Sequence, residues 1–418
     1  MLRDLRARWG QESQSAVSLA RTMHADIPRP ILALATFVGA VLTNLPHLKG
    51  QQPPAVATPT VLSADAMAKR HDTLTKQLET APPLQLIHGG LCGVHCSANV
   101  RLSGKAEAVI QLPLPQLLAG QVPIDFTFAT EPPTALRQLA IVHDERGGSA
   151  LHATVQGKGG DDVRFAWSSV VLLAERPEAA TAAMQKEFVA ATACAEADHA
   201  DVVAFAKELA PADATPATVA VALRAWIARQ SRKQPLQHFG ALSLLQNGNH
   251  GICTINANFA AAVLRQRGVP TRSLAVVPTN GMQLEMHRIV AWAADDQWHR
   301  FDPSGVHATV PMRTCDSVVV ASTSIADEQR AAKPRMSAPI GCPWGQEMEI
   351  VRGPAFAFGT EFFRTQAKPL AAFAVDDAAL AAARAAWQRF LANGALDATA
   401  ERTALARDVA TFAAAWHP

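Results

Sequence analysis

The sequence predicts an α+β fold, on three observations. Residues from about 82 to 176 break into short β-prone runs separated by turns. After Cys253, the residues Ile255, Phe259, Val263 and Leu264 recur at helical spacing in an alanine-rich setting. Beyond that helix, two apolar runs, 287–292 and 298–302, flank a turn at Ala293-Ala294-Asp295-Asp296-Gln297 and read as a β-hairpin.

The 418 residues suffice for two or three domains. Residues 1–60 are expected to form an anchor or leader and a linker, 61–180 a β-sandwich, 181–360 a catalytic domain, and 361–418 C-terminal helices. The run 30–46 is uncharged and follows Arg3, Arg6, Arg8, Arg21 and Arg29, and the proline-rich stretch 51–59 follows it. Ala55-Val56-Ala57 resembles a signal-peptidase site. This predicts a single N-terminal membrane anchor or leader and a body in the cell envelope or periplasm. An ordinary buried helix, and with it a cytoplasmic protein, is the alternative, because a span usually needs about 20 apolar residues.

The sandwich expectation rests on the runs 108–112, 124–128, 139–142 and 163–167. Leu112-Pro113-Leu114-Pro115 reads as a strand edge. Next, 181–209 reads as helical, and 216–229 as a second helix opened by Pro216. Gly268 and Pro270 end the helix that starts near Cys253. Gly341-Cys342-Pro343-Trp344-Gly345 reads as a turn, 376–392 as a helix ended by Asn393-Gly394, and 397–416 as a last helix.

Composition excludes several classes. The net charge is +2 and no basic stretch is interleaved with aromatics, so no nucleic-acid partner is expected. With no Tyr in the chain, a tyrosine acid or nucleophile is excluded. No phosphate-binding glycine loop or Asp-rich calcium loop is evident, and neither a cofactor nor a metal is expected. The six cysteines are 92, 96, 194, 253, 315 and 342. Cys92 and Cys96, with His88 and His95 near, are open to three readings: a metal cluster of uncommon spacing, a local disulfide, or buried thiols. Cys315 and Cys342 could form a second disulfide.

Three residues carry the expected chemistry. Cys253 stands at a helix entrance, where unpaired N–H groups and the helix dipole favour a thiolate. His287 opens one apolar run and Asp302 closes the other. If Trp292 pairs with Gln297 across a four-residue loop, the same register makes His287 and Asp302 direct cross-strand partners. The thiolate would attack a carbonyl, His287 would hold it as an ion pair and protonate the leaving amine, and Asp302 would orient the imidazole. Taken singly, each residue has a blander explanation: a buried thiol, a strand histidine, an Asp-Pro turn. Their joint order and spacing favour the triad. The Cys253 backbone N–H is one oxyanion donor; Gln246 and Asn249 are weaker candidates for another.

On these residues the chain resembles the bacterial transglutaminase-like superfamily. The likeness lies in Gly251-Ile252-Cys253, Leu264-Arg265, Gly268-Val269-Pro270-Thr271-Arg272, Met286-His287 and Trp298-His299-Arg300-Phe301-Asp302-Pro303-Ser304, about sixty residues in all. It implies a papain-like core, a Cys-bearing helix packed on an antiparallel sheet, with a preceding β-sandwich. It further implies acyl transfer or hydrolysis at amide bonds of protein or peptide substrates. Many relatives carry His-Ala-Trp, whereas here Arg288 follows His287, which changes the acceptor side. A peptide N-glycanase would carry paired CxxC knuckles, which this chain lacks. The alternative from another class is a non-catalytic binding or scaffold protein that keeps the fold. The oligomeric state is not legible.

Overall fold

The computed structural model describes residues 84–102, 106–143, 149–230, 240–247, 253–281, 286–330, 349–352, 363–391 and 395–397. It is a mixed α and β structure, and each of its sheets pairs its strands antiparallel. The chain opens with β1 (Gly89–Arg101), β2 (Ala106–Pro113), β3 (Gln121–Glu131), β4 (Leu136–His143), β5 (Ser149–Gly157) and β6 (Asp162–Ala174). All four runs read as β-prone fall inside these strands. A second group follows: β7 (Glu178–Ala179), α1 (Ala182–Glu187), α2 (Ala200–Leu209), α3 (Pro216–Ile227), α4 (Leu242–Asn247), α5 (Cys253–Gln266), β8 (Thr271–Pro278), β9 (His287–Ala294), β10 (Gln297–Phe301), β11 (Ser317–Ser322) and α6 (Ile325–Arg330). The chain then returns through β12 (Glu349–Arg352), β13 (Phe363–Ala372), α7 (Asp377–Leu391) and β14 (Ala395–Asp397).

The sheets run β13-β1-β6-β3, β12-β2-β5-β4-β14 and β11-β8-β9-β10-β7. The first two share one apolar cluster, in which Val94, Phe165 and Trp167 meet Ile110, Leu112, Leu151 and Val155. Period-two alternation puts Val163, Phe165 and Trp167 on the same side of β6. Residues 361–418 were expected to be helices, and this is corrected in part. Phe363–Ala372 is strand β13 paired with β1, and Asp397, expected to open the last helix, ends β14 instead. Pro369, a residue that cannot donate to a ladder, sits where β1 and β13 slip register on the sheet edge. The helix expected over 376–392 is present as α7. The segments 1–83, 331–348 and 398–418 lie outside the described residues, and with them the 30–46 run, the turn at 341–345, Cys342 and most of the last expected helix. No helix among the described residues is long and apolar enough to cross a membrane.

Cys92 and Cys96 lie four residues apart on β1, so their Cα atoms are about 13 Å apart, beyond disulfide reach. His95 points to the other face, its Nδ1 3.0 Å from the Ser168 hydroxyl. Buried thiols are therefore the surviving reading of the pair, and burial pushes the Cys92 thiol well above its usual range.

Helix α5 is buried along nearly its whole length, on β8 and β9 below and against α2, α3 and α4. It ends in a Schellman motif: Gly268 N–H donates to Arg265 O at 2.8 Å, and Val269 N–H to Leu264 O at 3.0 Å. Gly268 adopts φ 75°, which a β-carbon would disfavour. Helix α3 starts where Thr215 accepts from Thr218 N–H, with Pro216 in the first turn. The continuous helix expected over 181–209 is two helices, α1 and α2. Between them Thr192 Oγ1 donates to Glu328 and accepts from Ala195 N–H, and the His199 ring caps α2. These side-chain bonds draw residues 188–199 out of the helix.

The third sheet is buried on both sides. Leu274, Val276 and Val319 join one cluster with Phe188, Ile289 and Trp298, whereas Ala275, Val277, Val318 and Val320 join the cluster of the first two sheets. The Gln121 side chain completes this junction. Its amide donates to Gln116 O (2.8 Å) and Val319 O (2.7 Å) and accepts from Val319 N–H (2.8 Å).

A buried ion pair pins α5 to α6. Arg265 meets Glu328 through both terminal nitrogens, at 2.6 and 2.9 Å, and donates to Thr271 O from Nε and Nη2. The side chains are 0% and 2% exposed. Removing one partner leaves a buried charge unpaired, so Glu328→Gln is expected to destabilise by about 3 kcal/mol. Urea unfolding of the two proteins measures this; a loss below about 1 kcal/mol would contradict so buried a pair.

Candidate active site

The hairpin fixes two of the three candidate residues. Its turn is Asp295-Asp296, with φ 51° and 56°, the two-residue connection whose twist suits paired strands. Gln297 therefore pairs with Ala294, and His299 with Trp292. The expected four-residue loop is corrected, and the register is offset by two from the expected one. Because two is even, His287 and Asp302 keep a common face but become diagonal neighbours. His287 begins β9, and Asp302 follows the last residue of β10.

His287 Nε2 lies 3.0 Å from Asp302 Oδ1. The ring N–H is not aimed along that line, so the contact is an ion pair more than a straight hydrogen bond. Asp302 is fully buried, and its other contacts are backbone donors: Ser304 N–H to Oδ1 (2.8 Å) and His307 N–H to Oδ2 (3.0 Å). Burial alone would raise this carboxyl, but the His287 ring and the two amides overcome it and hold it below the usual range. Ser304 also ties the turn to the helix, accepting from Asn256 Nδ2 at 3.0 Å.

Cys253 is the first residue of α5 and is half-buried. Burial works against its thiolate, yet a hydrogen bond and charge from His287, the Arg288 backbone N–H and the Arg288 guanidinium bring the thiol below its ordinary value of 9.0. With Nε2 turned to Asp302, ring nitrogen Nδ1 is left for the sulfur. Burial works against His287 protonation as well, but hydrogen bonds to Asp302 and Cys253 and their charges raise the ring to about 9. The protonation that stabilises the fold at His287 is complete below the ordinary value of 6.5 and is lost as pH rises through about 9. The contribution of Asp302 has the opposite sign: it is present above 3.8 and lost as pH falls through its lowered value. The shifts thus favour a thiolate–imidazolium pair backed by a carboxylate. It can deliver a sulfur nucleophile and then a proton.

Arg288, which directly follows His287, is part of this electrostatics. Arg288 is buried, with Nη1 donating to the Thr323 hydroxyl and, at 3.4 Å, to Ser273 Oγ. Sequence reasoning noted Arg288 without its role, and missed Asn256, Ser304 and His307. The Asp-Pro-Ser run was a local signal for Ser304; nothing local marks His307. Of the two weaker oxyanion candidates, Gln246 is exposed on α4 and Asn249 lies outside the described residues. No group of three or more potential metal-ligating side chains occurs among the described residues.

No protein-family model and no curated protein matches the chain. Two solved structures are similar. One is a provisionally assigned cysteine protease from Cytophaga hutchinsonii, 11% identical, covering 69% of this chain and 93% of that one at TM-score 0.48. The other is a provisionally assigned protease from Parabacteroides distasonis, 15% identical, covering 57% and 48% at TM-score 0.25. Likenesses this distant carry no argument about chemistry, which rests on the residues themselves.

Among the thiols, burial raises Cys92 and Cys194 far above their usual range and pushes Cys315 up to about 12. Iodoacetamide at pH 7 is therefore expected to alkylate Cys253 at least about ten-fold faster than these three. Peptide mass spectrometry over a pH series reads the rates. Equal rates at Cys194 and Cys253 in the folded protein would show that no activated thiol exists.

Proposed function

We propose that the chain is a transglutaminase-like cysteine enzyme catalysing acyl transfer or hydrolysis at amide bonds of protein or peptide substrates. The observation that carries this reading is the 3.0 Å His287–Asp302 pair beside a thiol whose proton His287 draws away. In this reading the first two sheets are a β-sandwich, and α5 on the third sheet is a papain-like core. Residues 61–180 and 181–360 are the corresponding domains, except that β12, and after them β13 and β14, join the sandwich sheets.

The Cys253 thiolate attacks the amide carbonyl carbon, forming the C–S bond. The oxyanion is met by backbone N–H donors at the head of α5. As the C–N bond breaks, His287 passes its proton to the departing amine, leaving a thioester and a neutral imidazole. Water or a second amine then attacks the thioester; His287 takes its proton, the product leaves, and the ion pair is restored. Asp302 keeps the ring oriented and stabilises its cation in both halves. No cofactor is invoked.

Both charged partners must be present, which sets the pH profile. Activity is expected to fall at low pH as Cys253 gains a proton, and at high pH as His287 loses one near 9. Turnover of casein peptides with hydroxylamine as acceptor would be followed by mass spectrometry, hydroxamates reporting the thioester. Cys253→Ala is expected to abolish the signal, and Asp302→Asn to lower it by about 100-fold or more. A folded protein with a fast-alkylating Cys253 but no product on any peptide would favour the scaffold alternative.

We further propose that the body lies outside the cytoplasm, behind an anchor or leader within residues 1–60. The support is the uncharged run at 30–46 between arginines and a proline-rich linker. An alkaline phosphatase fusion at Ala64 is expected to be active; a fusion active only with a cytoplasmic reporter would overturn the proposal.

A further inference from the structure

Helix α5 carries one residue that its own stability does not call for. Asn256 lies three residues beyond Cys253 and is only 2% exposed, with Ile255, Ala257, Phe259 and Ala260 buried around it. Asn is a poorer helix former than Ala or Leu, because its side chain competes with the backbone for hydrogen bonds. Its amide is also only half satisfied. Nδ2 donates to Ser304 Oγ at 3.0 Å, whereas Oδ1 is buried and has no hydrogen-bond partner among the described residues. A buried carbonyl oxygen in that state is less favourable than an apolar side chain in the same place. Alanine would therefore suit the helix better, and the contact with Ser304 is what Asn256 supplies.

That contact leads directly to the base. Ser304 N–H donates at 2.8 Å to Asp302 Oδ1, the same oxygen that lies 3.0 Å from His287 Nε2. The polar contacts Asn256–Ser304–Asp302–His287 thus join the helix that bears Cys253 to the hairpin that bears the imidazole. The second Asp302 oxygen is held from another helix. His307 N–H donates to it at 3.0 Å, and the His307 carbonyl accepts from Arg224 Nη1 on α3. Ser304 is half-buried and Gly305 is exposed, so side-chain packing around this turn is sparse and the Asn256 bond fixes it.

Around the His287 ring stand Cys253 on α5, Asp302 and His307 after β10, and Arg288 next to it on β9. Burial works against the charged ring, and Asp302 and Cys253 overcome it. When Asp302 turns away, that support is lost and the imidazolium gives up its proton at lower pH.

We propose, on the reading of the enzyme given above, that Asn256 is a positioning residue of the reaction: through Ser304 it fixes Asp302 Oδ1 against the His287 ring and keeps the base in register with the Cys253 helix. The test uses the full chain with Asn256→Ala, Ser304→Ala and the double substitution. Ser304→Ala removes only the hydroxyl that accepts from Asn256 and leaves the backbone N–H to Asp302. One readout is turnover of casein peptides with hydroxylamine. The other is the pH dependence of Cys253 alkylation by iodoacetamide, whose upper step marks loss of the His287 proton. Each single substitution is expected to lower kcat about ten-fold with KM changed less than about two-fold. Each is also expected to move the upper alkylation step down by about one pH unit. The double variant is expected to match the weaker single within about two-fold, because both cut the same link. In urea the unfolding midpoint of Asn256→Ala is expected to be unchanged or raised. An upper step that stays in place in both singles, or effects that multiply in the double, overturns the proposal. A lowered midpoint with the step in place does the same, and makes Asn256 part of the fold alone. If Asn256→Ala fails to fold, Ser304→Ala decides. Alkylation separates this idea from the enzyme reading. A moved step in a chain that turns over no peptide keeps the positioning role and removes amide turnover; turnover with an unmoved step does the reverse.

Discussion

The rest of the site depends on one buried carboxylate. Asp302 has no solvent exposure, so water cannot satisfy its charge, and the protein must supply every partner. An ion of this size loses several kcal/mol on leaving water, even after relaxation. Two backbone amides and an imidazolium return it, at about 1.5–3 kcal/mol per charged hydrogen bond. The consequences spread outward. Receiving Ser304 and His307 N–H folds residues 302–307 tightly around the carboxylate. The Ser304 hydroxyl then meets Asn256, three residues beyond Cys253, and the His307 carbonyl meets Arg224 on α3. Helix and hairpin are thus held in one frame by the demands of a single charge, and the His287 ring is oriented within it.

What could be read from the sequence followed how local its cause was. Helix α5 was legible because its apolar spacing and its Gly268 stop lie within a few residues of each other. The strands β2, β3, β4 and β6 were legible because β-branched and aromatic residues cluster between turn formers. The hairpin register was misplaced because Asp295-Asp296 lacks the glycine that usually marks a two-residue turn with positive φ. The pairing of faces survived the error because strand parity repeats every two residues. By contrast, β1 is rich in glycine and cysteine, and β13 holds a proline; both become strands through partners about 60 or more residues away. Residues 188–199 have helical composition, but Thr192 meets Glu328 from the far end of the core, which no local pattern announces. His307 is of the same kind: its importance arises from a turn closing on Asp302.

The junction between the sheets is held by side-chain and backbone bonds from distant parts of the chain. Gln121 imitates a strand partner for Val319, and Gly281 N–H donates to Ala367 O at 3.1 Å. Gly281 has φ 80°, and a β-carbon there would meet the Lys368 side chain at 2.9 Å. The close approach therefore depends on glycine at this left-handed position. Strand β13, late in the chain, thus meets residues from its middle.

Arg288 closes the electrostatic argument. Its buried guanidinium contacts the hydroxyls of Thr323 and Ser273. Its charge is useful in one direction only: it favours a neighbouring thiolate and takes no part in proton transfer, because arginine does not titrate in this range. His287 does both. The site therefore divides two tasks that a lone histidine would have to combine. In the proposed reaction, the Arg288 charge remains when His287 gives up its proton, and the Cys253 sulfur keeps a cationic neighbour. Asp302 has the complementary duty, offsetting the imidazolium when the ring is charged. A small residue after the histidine would leave a thiolate supported by the imidazolium and helix terminus alone. Arg288 adds a fixed charge beside Cys253, so a thiolate there is favoured independently of the proton that His287 carries.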